Sequence, residues 1–394
     1  MIVGALAGLT LVIVFTAGFL FRDLVNLPAA IASSPAPDAE EYPLLHEVQT
    51  LLDQHYLRPQ PSPIQRDYAA IRGMLASLDD RYTFFVDPPV AQSESDVLAG
   101  TYGGIGVQVQ RSEQGDLVLF PFADSPAAAA GIEDGDLLQA INHTPVDLSL
   151  AQDTIDQMLR GEVKEGNGVE ITVIKKDSGS DYTVFIPFAV INVPSVVWRV
   201  LEDNDRIGYV QIMRFTSRTP EELATALEDL RSNDITGLVV DLRNNSGGLL
   251  QESVEVASQF VAEGVIVYER DAEGERDFKA EPGGLATDLP LMVLVNQGTA
   301  SAAELVAGAI QDHQRGLLVG QTTFGKGSVQ QIFRLSDDSS LHITSAEWFT
   351  PAHHTLDGVG LQPDIPMIPD VNGRDVELGE AVRRLEEVMQ GGSQ

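Results

Sequence analysis

The sequence predicts an α/β protein with a largely parallel sheet, preceded by a helical N-terminal segment and carrying a β-rich insert. Three observations predict this. From about residue 200 to 350, strand-length apolar runs alternate with helix-length amphipathic runs, the pattern of strands joined by crossover helices. Residues 96–190 are instead cut into short β-like runs by Gly103-Gly104, Gly115-Asp116, Gly131, Asp134-Gly135 and Gly166-Asn167-Gly168. Residues 41–95 carry Leu44, Leu45, Val48, Leu51 and Leu52 on one helical face.

In chain order, residues 1–21 bear no charged side chain, and Arg22-Asp23 ends the run. About 20 apolar residues cross a bilayer as a helix. Residues 1–22 are therefore expected to be a transmembrane anchor, or a signal cleaved near Ala30-Ile31-Ala32. The length favours the anchor, with the body on the extracytoplasmic side. Residues 23–40, rich in Pro, Ala and Ser, read as a linker. Residues 41–95 form the helical region and 96–190 the β-rich domain, whose runs include Leu117–Pro121, Val169–Lys175 and one helix near Leu150–Leu159. The core, 191–370, holds strands at Ile207–Met213, Leu238–Leu242, Leu291–Val295 and Leu317–Val319. Helices at Pro220–Ser232, Leu250–Val261 and Ser301–Gln314 alternate with them. Residues 371–394 end the chain with a charged helix, Asp375–Met389. That helix and the one at 41–56 are the candidates for self-association, though such terminal helices more often pack on their own domain.

Composition narrows the function. The 394 residues hold 25 basic and 58 acidic side chains, a net charge of -33, with no basic run, which excludes a phosphate-backbone binder. Cysteine is absent, so thiol nucleophiles, disulfides and Cys-type metal sites are excluded. Histidines do not stand in metal-binding spacing, and no metal or organic cofactor is expected.

Ligands of open α/β sheets sit beyond the carboxyl ends of the strands, and three such ends are unusual. Asp241-Leu242-Arg243-Asn244-Asn245-Ser246-Gly247-Gly248 runs from an apolar strand into paired glycines, which can turn backbone N–H groups toward an oxyanion. Alone, it equally fits a plain strand–turn–helix corner. Asn296–Glu304 places Ser301 at or near a helix N-terminus, where developing negative charge is favoured. Ser301 or Thr299 is the helix cap. Gly320–Gly327 nearly spells a phosphate-binding loop, but Gly327 stands where the hydroxyl belongs and a β-like run, not a helix, follows. Its Lys326, between glycines and beside Phe324, is either a mobile surface lysine or a desolvated amine able to act as a base.

Serine and a neutral lysine make a complete pair for acyl transfer. Gly247 or Gly248, with Ala302, can supply oxyanion donors, and Gln330 can orient the amine. His313 lies ~18 Å from Ser301 along a helix and cannot serve it.

These residues resemble the carboxyl-terminal processing proteases, tail-specific serine endopeptidases. The family pattern Asp-Leu-Arg-Asn-Asn-Pro-Gly-Gly reads DLRNNSGG here, with Ser246 for the proline. Its Thr-Ala-Ser-Ala-Ser-Glu reads TASAAE, matching Ser301 to the nucleophile. TTFGKGxVQ is reproduced at 322–330, matching Lys326 to the base and Gln330 to the residue that orients it. The resemblance implies a crotonase/ClpP-like α/β protease core with an inserted PDZ domain. Tyr102-Gly103-Gly104-Ile105-Gly106-Val107 is similar to its carboxylate-binding loop. Arg160 is similar to an arginine that couples peptide binding to the catalytic site; read alone, it is a helix-terminal arginine. The implied function is a serine endopeptidase acting on proteins or peptides with apolar C-termini. A non-catalytic PDZ-type adaptor is the competing class, and an acyltransferase with the same dyad a further one. Retention of Ser301, Lys326 and Gln330 together argues against the adaptor.

Overall fold

The computed structural model describes residues 42–112, 115–146, 150, 152–370 and 373–391. The expected anchor at 1–22 and linker at 23–40 lie outside the described residues. Among those described, no helix is long and apolar enough to cross a membrane.

The chain divides into two units, Met1–Ala69 and Ala70–Gln394. In the first, the helix Pro43–His55 starts on a proline, whose missing N–H is no loss at that position. Its predicted apolar stripe is present but exposed, Leu44 at 74% and Val48 at 52%. Arg66 and Asp53 form an ion pair at 2.6 Å.

In the second unit a six-stranded sheet runs in the order Val196–Leu201, Asn204–Ile212, Gly237–Asp241, Leu291–Val295, Leu317–Gly320, Ile365–Pro366. The first pair is an antiparallel hairpin and every later pair is parallel. Gly237–Asp241 and Leu291–Val295 are buried throughout, because both faces of the sheet are covered; hence their unbroken apolar sequences. Helices Thr219–Ser232, Leu250–Ser258 and Ala302–Asp312 supply Leu223, Leu227, Val254, Ala257, Val306 and Ile310 to the main core. The terminal helix Val376–Gly391 packs Ala381 and Leu385 against Ile207, Val239 and Leu294 on the opposite face. It thus covers its own domain.

A second sheet pairs Ser340–Phe349 with Phe84–Val86, Val265–Arg270 and Ser328–Arg334. The region 41–95 is therefore not wholly helical: Phe84–Val86 is a strand, aligned with Ser340–His342. The β-rich segment has its own sheet, from Val107–Arg111 to Asp181–Pro187, and its own core around Leu119, Ile141, Ile155 and Ile171. Its ends are joined, since Thr101–Gly104 pairs antiparallel with Ala189–Asn192.

Candidate active site

Three adjacent parallel strands end at Asp241, Val295 and Gly320, so the three unusual loops are neighbours. They are laced together through Thr299 and Ala300. Thr299 Oγ1 accepts the Asn296 N–H at 3.0 Å and donates to the Leu242 carbonyl at 2.8 Å. The Ala300 N–H donates to the Asn245 carbonyl, and the Phe324 N–H to the Thr299 carbonyl, both at 2.9 Å. Thr299 is thus a tie between loops, and Ser301 is the N-cap of the helix Ala302–Asp312.

Ser301 has φ 55° and ψ -123°, a left-handed backbone that a non-glycine residue holds only under constraint. The sharp strand-to-helix turn presents its side chain to a cleft of about 580 Å³ that Lys326, Gln330, Ser246 and Gly248 also line. The constraint comes largely from Glu304, which is fully buried. Its Oε2 accepts the N–H of Ser301 and of Lys326, each at 2.9 Å. Its Oε1 accepts the Gly325 N–H at 2.7 Å and the Thr323 hydroxyl. Sequence reasoning missed this role. The available signal was the serine followed three places later by glutamate, a capping-box spacing.

Lys326 is half-buried, its amine 5.4 Å from the centre of the Tyr82 ring. Among the described residues no carboxylate lies within ion-pair distance of it. Burial pushes the amine below the usual lysine range, toward the neutral form. Its loop is held from behind. The Trp348 N–H donates to the Gly327 carbonyl at 2.7 Å and the Gly358 N–H to the Gly325 carbonyl at 3.0 Å. A Cβ on Gly327 would lie 2.5 Å from the Asp357 nitrogen, so the second glycine is needed for close approach. Gln330 reaches the same cleft, where its Nε2 donates to Ser328 Oγ at 2.8 Å.

The two candidate oxyanion glycines differ. The Gly247 N–H already donates to Asn245 Oδ1 at 2.9 Å, and its carbonyl accepts the Phe215 N–H. The N–H groups of Gly248 and Ala302 have no hydrogen-bond partner among the described residues. Gly248 faces the cleft and Ala302 opens the helix.

His342 also lines the cleft, with Nε2 3.1 Å from the Glu94 carboxylate and its ring stacked on Phe84. His313 is turned to the Val265 carbonyl at 2.7 Å. Among the described residues no cluster of three metal-ligating side chains exists.

In the β-rich segment, Ile105, Gly106, Val107 and Arg160 surround a groove of only about 20 Å³, room for about one water. Gly104 lies opposite Arg160 in an isolated bridge, and the guanidinium of Arg160 lies 4.2 Å above the Tyr102 ring.

A serine on a strained turn, a desolvated lysine and free N–H donors at the ends of parallel strands define a serine-type hydrolase site. Residues 206–367 match peptidase family S41. The chain is 36% identical over 326 residues to the carboxy-terminal-processing protease of Bartonella bacilliformis, covering 80% of this chain and 73% of that one. It is 35% identical over 324 residues to the carboxyl-terminal-processing protease of a Synechocystis species, covering 81% and 75%. A solved structure from Bacteroides fragilis, described as an S41 protease, superposes with a TM-score of 0.51 at 17% identity over 91% of this chain and 99% of that one, a likeness of fold. The chain belongs to peptidase family S41 and is a serine-type peptidase.

Proposed function

We propose that this peptidase is a carboxyl-terminal processing endopeptidase working by a Ser301–Lys326 dyad on a crotonase/ClpP-like core. The neutral amine of Lys326 takes the hydroxyl proton as Ser301 Oγ attacks the scissile carbonyl. The N–H groups of Gly248 and Ala302 receive the oxyanion. The tetrahedral intermediate collapses, the lysine ammonium returns the proton to the leaving amine, and water hydrolyses the acyl-enzyme by the same route. Gln330, turned from Ser328, holds the amine in line. No metal or organic cofactor takes part. The observation that carries this reading is the shared anchorage of Ser301 and Lys326 on Glu304.

Substrate capture follows from the β-rich segment acting as a PDZ domain. Its Val107–Arg111 strand is an edge strand, open to an added peptide strand, and Gly104–Val107 would face the chain end. The groove must widen to do so. Residues 1–22 would tether the body to the membrane on its outer side. The names of the two curated relatives support action at C-termini. The test uses one peptide with an apolar C-terminus, free and then amidated, with wild type, Ser301→Ala and Lys326→Ala. Hydrolysis surviving both substitutions removes the dyad; equal cutting of both peptide forms removes tail recognition; a transferred acyl product in place of free acid makes the enzyme an acyltransferase.

A further inference from the structure

Between the narrow groove and the catalytic cleft lies a third cavity, of about 300 Å³. Tyr102 and Arg160 wall both this cavity and the groove. Val97 and Arg214 wall both this cavity and the catalytic cleft. It therefore adjoins both, and it offers about 300 Å³ where the groove offers about 20 Å³.

Its lining combines two arginines, Arg160 and Arg214, with apolar walls from Val97, Val193, Pro194 and Met213. Arg214 is the distinctive member. It has no carboxylate within ion-pair distance among the described residues, although its neighbour Arg218 is paired with Glu222 at 3.0 Å. One acid, Asp96, shares the cavity, and its carboxylate accepts a hydrogen bond from Gln92 at 2.8 Å. The position of Arg214 is fixed by the next residue. The Phe215 N–H donates to the Gly247 carbonyl at 3.1 Å and its carbonyl accepts the Leu249 N–H at 2.9 Å, which sets Phe215 opposite Gly248. The backbone next to Arg214 is thereby tied to the loop that carries Gly248. An unpaired arginine beside apolar walls matches one ligand chemistry: a carboxylate carried next to an apolar side chain.

We propose that this cavity binds the C-terminal residue of the polypeptide substrate, its α-carboxylate on Arg214 and Arg160 and its side chain against Val97, Val193 and Met213. This deepens the endopeptidase reading and rests on it. The groove of the β-rich segment makes first contact, and the cavity seats the end of the chain during cleavage. The scissile bond then lies close to the chain end.

The test compares wild type, Arg214→Gln and Arg214→Lys in the full chain. Three forms of one peptide are used: the free acid, the C-terminal amide, and the amide with glutamate as its last residue. Wild type is expected to prefer the free acid. Arg214→Gln is expected to lower the acid-to-amide ratio of kcat/KM about tenfold, through KM, the share of one charge-assisted hydrogen bond. Arg214→Lys keeps part of the ratio, because it keeps the charge. An unchanged ratio in Arg214→Gln overturns the proposal, since Arg214 does not line the groove of the β-rich segment. Equal cutting of the glutamate amide and the free acid also overturns it, because a side-chain carboxylate is then what is read. Binding of the labelled acid and amide peptides to Ser301→Ala, with and without Arg214→Gln, gives the same contrast without turnover. Loss of the acid preference in that assay supports the cavity even if wild type shows no Ser301-dependent hydrolysis, an outcome that would remove the endopeptidase reading alone.

Discussion

Ser301 and Lys326 donate their backbone N–H groups to one oxygen atom, Glu304 Oε2, each at 2.9 Å. The proposed nucleophile and base sit on different loops, and a single buried carboxylate ties their backbones together. Glu304→Gln keeps the shape but replaces one acceptor oxygen with an NH₂ that opposes N–H donors. Turnover should fall about 10²-fold with KM little changed, since misplacement of reacting groups by ~1 Å is that costly. Unfolding free energy should fall by about 2–3 kcal/mol, the range for leaving a buried donor unmet. Steady-state kinetics and urea denaturation check the two parts separately.

The left-handed backbone at Ser301, φ 55°, sets serine-to-alanine and serine-to-glycine replacements apart. Both should abolish hydrolysis. Alanine keeps the strain and glycine relieves it, so Ser301→Gly should be more stable than Ser301→Ala by about 1 kcal/mol. Paired thermal melts decide this; equal melting temperatures would show that the turn is unstrained.

Burial lowers the pKa of Lys326, which fixes two pH dependences. kcat/KM should rise with pH as the amine loses its proton, and level off below the usual lysine range. For stability, in the window between the folded and unfolded pKa values the unfolded chain binds the proton and the folded chain does not. Stability therefore rises with pH across that window. Lys326→Met removes this slope and should be more stable than wild type, most clearly below the folded pKa, the gain vanishing above the unfolded one. Melts over a pH series check the sign.

Gly248 is the proposed oxyanion donor, and its substitution tests that role. A Cβ there would lie 2.0 Å from the Phe215 carbonyl oxygen, so Gly248→Ala must displace the loop. Its kcat should drop about 10²–10³-fold, the loss typical of one oxyanion donor. Labelling of Ser301 by a small serine-reactive reagent should persist more than hydrolysis does, because Ser301 is anchored elsewhere, through Glu304.

Much of the site was legible in the sequence because it hangs on strand ends. The unbroken apolar runs at Leu238–Leu242 and Leu291–Val295 mark buried parallel strands, and the polar loops after them must then be neighbours. Ser301 at a helix head followed from the spacing of Leu305, Val306, Ala309 and Ile310. Other features were hidden for physical reasons. Glu304 shares the buried face of that helix, and periodicity cannot say which donors a buried carboxylate serves. The choice between Gly247 and Gly248 depends on where the Asn245 side chain points, which composition does not encode. Phe84–Val86 is a strand only because Ser340–His342 lies beside it, a partner far off in sequence. The cavity at Arg214 joins residues from four separated segments.

The hydrogen-bonded neck where Thr101–Gly104 meets Ala189–Asn192 makes the β-rich segment a detachable cassette. Chain leaves the catalytic body and returns to it at facing residues, Gly104 and Ala189, a gap that a two-residue hairpin turn can close. The segment between those residues can therefore be shortened or exchanged without disturbing the strand order of the six-stranded sheet.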